Sequence, residues 1–178
     1  MVRAFLPLRH DKTASPVGRA DPPAAQHAAA GFPPAAKAGV RRRQGHSGDR
    51  MSAHAESVVR EFWRLMATND FASVKAVLSP HFILEWPQSN ERIRGAGNFA
   101  RMNAEYPTTT GQWRFTINHL VAQGSTVVTQ VSVTDGEQGA EAISFFTVDG
   151  GQITHVLEFW PEPYAAPTNR LHLTEPIA

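Results

Sequence analysis

The sequence contains no cysteine, which excludes a disulfide framework, a thiolate zinc site, an iron–sulfur cluster and a cysteine nucleophile. It also lacks the apolar run of about 18–20 residues that a membrane-spanning helix needs. There is no G-x-G-x-x-G and no phosphate-binding loop, so the common nucleotide-binding folds are not expected. The histidines after residue 50 show no H-x-H or H-x-x-x-H spacing. We therefore predict neither a metal nor a cofactor.

The 178 residues divide into two unlike parts. Residues 1–50 carry nine Lys and Arg against three Asp and no Glu, and are rich in Ala, Pro and Gly. Such a composition predicts disorder. The run Arg41–Arg43 would suit contact with nucleic acid or a membrane surface, or a transit peptide; the simpler interpretation is an extended reading frame before a true start at Met51. We assign this segment no function and expect neither nucleic acid nor membrane as a partner.

Residues 51–178 carry thirteen acidic and eight basic residues and all four tryptophans, which is typical of a folded domain. We place that domain at 51–165 and a C-terminal tail at 166–178. Hydrophobic periodicity predicts a helix over Ala53–Thr68, a short helix from Asp70 and a third helix over Ala96–Tyr106. Alternation and turn residues predict five strands: Phe82–Trp86, Trp113–Val121, Thr126–Thr134, Ala140–Val148 and Ile153–Trp160.

Helices gathered at one end and a long run of strands favour an α+β fold rather than a βαβ nucleotide-binding fold. Several short motifs, in this order and at this spacing, carry a resemblance: Phe62-Trp63, Asn69-Asp70-Phe71, Leu78–Phe82, Arg94-Gly95, Asp149–Ile153 and Glu158-Phe159-Trp160. Over about residues 52–165 the chain resembles the nuclear-transport-factor-2-like (NTF2-like) superfamily. Within it, the chain is most similar to the SnoaL-like group related to polyketide cyclases and ketosteroid isomerases.

This resemblance implies a cone-shaped, curved antiparallel sheet wrapped around N-terminal helices, with an apolar pocket at one end. It also implies a homodimer formed through the sheet. The same cone hosts isomerases, cyclases, dehydratases, epoxide hydrolases and binding proteins without activity, so the fold alone does not fix the reaction. Ketosteroid isomerases use a tyrosine of the first helix, where this chain has Phe62 and Trp63. Epoxide hydrolases of this fold use an Asp–Arg–Asp set, and the predicted strands contain no Asp.

The first candidate for catalysis is Glu158. SnoaL-like cyclases place their general acid/base late in the last strand, and Glu158 lies near that place. Its alternation in the strand puts it on one face with Thr154, Val156 and Trp160. A carboxyl in an apolar cone would have a raised pKa, which suits proton transfer beside a carbonyl near neutral pH. The structural alternative is a glutamate that forms a salt bridge at the rim or faces solvent.

Two further residues are weaker candidates for catalysis. Glu85 shares a face with Ile83, opposite Trp86, so it lies either in the pocket or on an exposed face. Strand alternation predicts that His119 shares a face with Phe115 and Ile117. A lone histidine on an apolar face is more often a hydrogen-bonded core residue than a base. His155 allows a histidine pair with it, although the sequence does not bring the two together.

For the pocket, we expect ligand-binding residues that are mostly large and apolar, with an amide and a phenol among them: Trp86, Met102, Asn103, Tyr106, Trp113, Phe145 and Trp160. One hypothesis is a cytoplasmic small-molecule-binding protein that acts as an isomerase or cyclase on an apolar carbonyl or ring compound. The other is a non-catalytic ligand-binding or accessory module. An apolar cavity of several hundred Å3 would favour the first, and a filled interior the second.

Overall fold

A computed structural model describes residues 45–108 and 111–177. Its two α-helices are α1 (Gly45–Met66) and α2 (Ala96–Glu105), and two short 3-10 helices cover Ser73–Val77 and Thr168–Arg170. The first helix therefore begins before Ala53, its predicted start, and crosses the domain boundary expected at residue 50. The run Arg41–Arg43 lies outside the described residues. Within the described part, no helix is long and apolar enough to cross a membrane.

Six strands form one sheet in the order β2-β1-β6-β5-β4-β3. Their bounds are β1 (Leu78–Trp86), β2 (Glu91–Arg94), β3 (Arg114–Gln123), β4 (Thr126–Thr134), β5 (Gly139–Asp149) and β6 (Gln152–Phe159). The α+β class is confirmed, and β4 has its predicted bounds, whereas β2 was not predicted. The sheet is mixed rather than wholly antiparallel, because β6 returns from the β3–β6 meander to pair in parallel with β1.

The core lies between the inner face of this sheet and the apolar stripe of α1. Phe62 is central to it: its ring lies 5.3 Å from that of Phe146 on β5 and 5.8 Å from that of Phe99 on α2. Full burial of such a side chain contributes about 1.5–3 kcal/mol. The aromatic contacts therefore fix α1 across the sheet and α2 beside it, and these elements provide the walls of the candidate site.

Two bulges change which side chains face this core. In β3, Ile117 pairs with Val131 and His119 with Gln130, so Asn118 is an extra residue. In β6, Ile153 pairs with Val148 and His155 with Thr147, so Thr154 is extra. One added residue reverses the facing of everything beyond it in the strand, and both reversals affect predicted site residues.

Candidate functional site

Glu158 lies on the inner face of β6 and is almost completely buried, with 7% of its surface exposed. Its Oε2 accepts hydrogen bonds from Trp86 Nε1 at 2.8 Å and Trp160 Nε1 at 3.0 Å. Its Oε1 accepts one from Ser144 Oγ at 2.8 Å. Burial raises the pKa of Glu158 above its usual range, although the three hydrogen bonds act to lower it. The carboxyl is thus both buried and fully partnered.

Strand register brings these partners together. Ser144 on β5 lies directly opposite Glu158 in the antiparallel pairing. On the other side, Glu85 of β1 pairs with Leu157 in parallel, so Trp86 comes next to Glu158. Trp160 follows two residues later in the chain on the same face. Two of the three partners of the carboxyl therefore lie on the neighbouring strands β1 and β5, and the third lies one residue beyond the end of β6.

Glu158 borders a narrow cavity in the interior of the domain. Its volume is about 20 Å3, space for about one water molecule. The interior around the carboxyl is thus filled by side chains, which is the outcome expected for the second hypothesis of the sequence analysis. Ten residues, of which only Glu158 is ionisable, line the cavity: Phe62, Trp63, Met66, Trp86, Phe99, Met102, Asn103, Phe115, Glu158 and Trp160.

Two other polar groups belong to this lining. Asn103 is buried on α2 and donates a hydrogen bond from Nδ2 to the carbonyl oxygen of Phe99 at 2.9 Å. Trp63 is buried on α1, and its Nε1–H meets no hydrogen-bond acceptor among the described residues. A buried donor without an acceptor costs about 1–3 kcal/mol. The residues that line the cavity therefore bring together a carboxyl, an amide and a buried indole N–H without an acceptor.

A wider groove of about 330 Å3 lies beyond Asn103. The predicted site residues Tyr106 and Trp113 line this groove and not the cavity, whereas Asn103 lines both.

Two residues of the groove are held by contacts within the protein. Asn69, whose backbone φ is 60°, forms two hydrogen bonds with the backbone of Trp113: its Oδ1 accepts from the Trp113 N–H at 2.7 Å, and its Nδ2 donates to the Trp113 carbonyl oxygen at 2.8 Å. Burial raises the pKa of Tyr106 to about 12, so its phenol keeps its proton at neutral pH.

The prediction that Glu85 belongs to the catalytic site is wrong in its location. Glu85 lies on the outer face of the sheet, where it forms an ion pair with Arg92 and accepts a hydrogen bond from His155 Nε2 at 2.9 Å. The hydrogen bond from His155 has the largest effect on the pKa of the Glu85 carboxyl and lowers it, and hydrogen bonding to Arg92 lowers it further. Strand alternation places Leu84 in the core, so its neighbour Glu85 must face away from Glu158.

His119 and Phe145 also lie outside the cavity. Because Asn118 is an extra residue in β3, His119 is exposed on the outer face, with Nδ1 2.9 Å from Gln130 Oε1. Phe145 is 40% exposed on the same face, and its ring centroid lies 6.3 Å from that of Phe159. His119 and His155 do not meet near Glu158. The cavity role expected for His119 and Phe145 is therefore wrong.

Sequence reasoning missed six residues that border Glu158 or its cavity: Phe62, Trp63, Met66, Phe99, Phe115 and Ser144. The first five are apolar or aromatic core residues by periodicity, so nothing distinguishes them as site residues. Ser144 carries a signal in the sequence, because its hydroxyl is flanked on both sides by apolar residues, Ile143 before it and Phe145-Phe146 after it. A buried hydroxyl in such a strand needs a polar partner, and the partner is Glu158.

Comparison with known proteins agrees with this architecture. A family model for a SnoaL-like domain matches residues 59–156. A structure from Kribbella flavida described as a "putative ketosteroid isomerase" is 30% identical, with a TM-score of 0.67, and the match covers 74% of this chain and 94% of that one. No curated protein matches the chain by sequence.

Two further structures share the fold at lower identity. An NTF2-like protein of unknown function from Burkholderia xenovorans is 21% identical, with a TM-score of 0.59, over 72% of this chain and 98% of that one. An epoxide hydrolase from M. tuberculosis that resembles the LEH enzyme is 23% identical, with a TM-score of 0.51, over 62% and 84%. On the matched domain and the 30% identity together, the chain belongs to the SnoaL-like family of the NTF2-like superfamily.

Proposed function

We propose that this protein binds an apolar small molecule bearing a carbonyl or ring, and that Glu158 moves a proton on it as general acid and base. The reaction class would be isomerisation or cyclisation. The observation that carries the proposal is the carboxyl of Glu158, buried in a cavity with an otherwise non-ionisable lining and held by three hydrogen bonds. A carboxyl with a raised pKa is the type of group that takes up and returns a proton near neutral pH.

The other polar groups of the cavity fit the same chemistry. A ligand oxygen within reach of Trp63 Nε1 would accept the hydrogen bond that the protein leaves unmade. Hydrogen-bond donation to a carbonyl oxygen makes the hydrogens on the adjacent carbon more acidic, because it stabilises the negative charge that develops on the oxygen. A carbonyl compound would therefore use both Trp63 and Glu158, whereas a hydrocarbon would use neither.

A ligand must enlarge the cavity before it can bind. The helix α2 carries both Met102, in the cavity lining, and Asn103, which lines the cavity and the groove. An outward shift of this ten-residue helix would join the two spaces. Met66 and Met102 can repack around a ligand, since methionine is unbranched and flexible.

The proposal is tested by proton exchange, which needs no knowledge of the natural substrate. The full chain is incubated in D2O with cyclohexanone or 2-tetralone, and the loss of the α-proton signal is followed by NMR. We expect exchange faster than in buffer alone, with a rate that saturates as the ketone concentration rises. Exchange at the buffer rate with every ketone that binds would contradict general acid/base catalysis by Glu158.

A second candidate function is a non-catalytic ligand-binding or accessory module. The small volume around Glu158 favours it, because a fully hydrogen-bonded carboxyl in a filled core also serves to fix strand register. Saturable binding of the ketones without any accelerated exchange would select this candidate. The two functions therefore differ in the outcome of one experiment.

We also propose a homodimer through the outer face of the sheet, which exposes Val121 and Phe145 (67% and 40%). Phe145→Lys is expected to give a monomer in sedimentation velocity at a concentration where the wild type is a dimer, because a charge replaces an apolar contact. Ser47→Lys on the exposed side of α1 is the matched control. A wild type that still sediments as a monomer at about 100 μM would contradict the proposal, because a stable dimer has a dissociation constant well below that concentration.

Location in the cytoplasm stays a prediction.

A further inference from the structure

The two oxygens of the Glu158 carboxyl have different kinds of partner. Oε2 accepts from two indole N–H groups, those of Trp86 and Trp160, at 2.8 and 3.0 Å. Oε1 is 2.8 Å from a single hydroxyl, that of Ser144. An indole nitrogen can only donate a hydrogen bond, whereas a hydroxyl can donate one and accept two. The difference between the partners decides where a proton can be added.

A proton on Oε2 would compete with two hydrogens that already point at that oxygen. Neither Trp86 nor Trp160 could accept it, so the acid proton would find no acceptor among the groups bonded to that oxygen. A proton on Oε1 meets no such obstacle: the Ser144 hydroxyl rotates and accepts it, with the oxygen–oxygen contact kept. We propose that Glu158 gains and releases its proton at Oε1, and that Ser144 is the positioning residue that hydrogen-bonds both protonation states.

No other ionisable group of the cavity lining competes for this proton. The elements packed against this part of β6 present uncharged side chains toward it: α1 presents Phe62, Trp63 and Met66, α2 presents Met102 and Asn103, and β3 presents Phe115. On β1, the charged residue Glu85 faces the outer side, together with His155 of β6. The ionisation of Glu158 is therefore governed by its two indole partners and its one hydroxyl partner.

This inference deepens the proposed function by naming the oxygen that would exchange a proton with a ligand, but its test uses the ligand-free protein. The probe is the carbonyl stretch of protonated Glu158 in infrared difference spectra of the full chain between low and high pH. The band is assigned by its loss in Glu158→Gln. If the proton is on Oε1, the carbonyl oxygen is Oε2, and its two indole hydrogen bonds hold the band at low frequency.

We expect the band to move to higher frequency in Trp86→Phe and in Trp160→Phe, and to stay at its wild-type position in Ser144→Ala. The midpoint of the titration is expected to rise by about one pH unit in Trp86→Phe, because the lost donor favoured the ionised form. It should rise by less in Ser144→Ala, where both forms lose a partner. Ser144→Thr, which keeps the hydroxyl, should restore the wild-type midpoint.

The opposite pattern overturns the inference. A band that shifts upward in Ser144→Ala and stays fixed in both tryptophan variants would place the proton on Oε2. If Ser144→Ala does not fold, the tryptophan variants decide alone, since an unchanged band in both contradicts an Oε2 carbonyl. Failure of ketone exchange would remove the proposed function without affecting this result, so the two outcomes are separable.

Discussion

Glu158→Gln is expected to slow α-proton exchange of a bound ketone by roughly 100- to 10,000-fold, the contribution of a positioned general acid or base. The carboxamide cannot take up a proton at neutral pH. It can keep the contacts of the carboxylate, because its oxygen accepts from Trp86 and Trp160 and its amide group donates to the Ser144 hydroxyl. Binding of the ketone should therefore change little while exchange is lost.

The matched control is Glu141→Gln. Glu141 lies on the outer face of the sheet, where it accepts hydrogen bonds from Ser132 and Gln130, so the substitution removes the same charge far from the cavity. Exchange in this variant should equal that of the wild type. A Glu158→Gln protein that binds ketones and exchanges them at the wild-type rate would show that another group, or water, takes the proton.

The resemblance to SnoaL-like cyclases, and not alternation, implied that Glu158 faces the cavity. Its grouping with Val156 and Trp160 was predictable because alternation is local: from Val156 to Trp160, beyond the bulge at Thr154, buried and half-buried residues alternate without interruption. The fold was predictable for a similar reason: turn residues such as Gly150-Gly151, both with positive φ, delimit strands of regular length. Local patterns of this kind depend on neighbours in the chain.

Phe145 shows where such reasoning ends. A two-residue turn pairs Asp149 with Gln152, and a regular hairpin extended from there would place Phe145 opposite Val156, on the face of Glu158. The extra residue Thr154 shifts the register by one, so Phe145 pairs with Leu157 and faces outward. No turn-forming or strand-breaking residue marks this bulge in the sequence.

His119 was placed wrongly by the same mechanism, through the extra residue Asn118 in β3. Trp63 illustrates a different limit: its periodicity predicts a core residue, which it is, but whether a buried indole finds an acceptor depends on groups distant in the chain. The volume left beside Glu158 is likewise a property of all ten lining side chains together. The face on which a side chain lies beyond a bulge and the volume of a cavity therefore depend on tertiary contacts, and hydrophobic periodicity does not predict them.

Glu158 also makes the stability of the protein depend on pH in a defined direction. Its pKa is raised in the folded state by burial, so between its unfolded and folded pKa values the folded protein binds more protons than the unfolded one. Stability from this group is then fully present below the unfolded pKa, near 4.3, and is lost as the pH rises through the folded pKa. The loss amounts to about 1.4 kcal/mol for each pH unit that separates the two values.

Glu158→Gln removes this loss, because the carboxamide stays neutral at every pH. We expect the variant to have a higher melting temperature than the wild type at pH 8, and the difference to shrink as the pH falls toward the unfolded pKa. Glu158→Ala should instead be less stable than the wild type at pH 5 by about 2 kcal/mol or more, since it leaves two buried indole donors unpaired at about 1–3 kcal/mol each. If the difference in melting temperature between wild type and Glu158→Gln is the same at every pH from 5 to 8, the carboxyl ionises as it does in water. The burial on which its proposed chemistry depends would then be ruled out in solution.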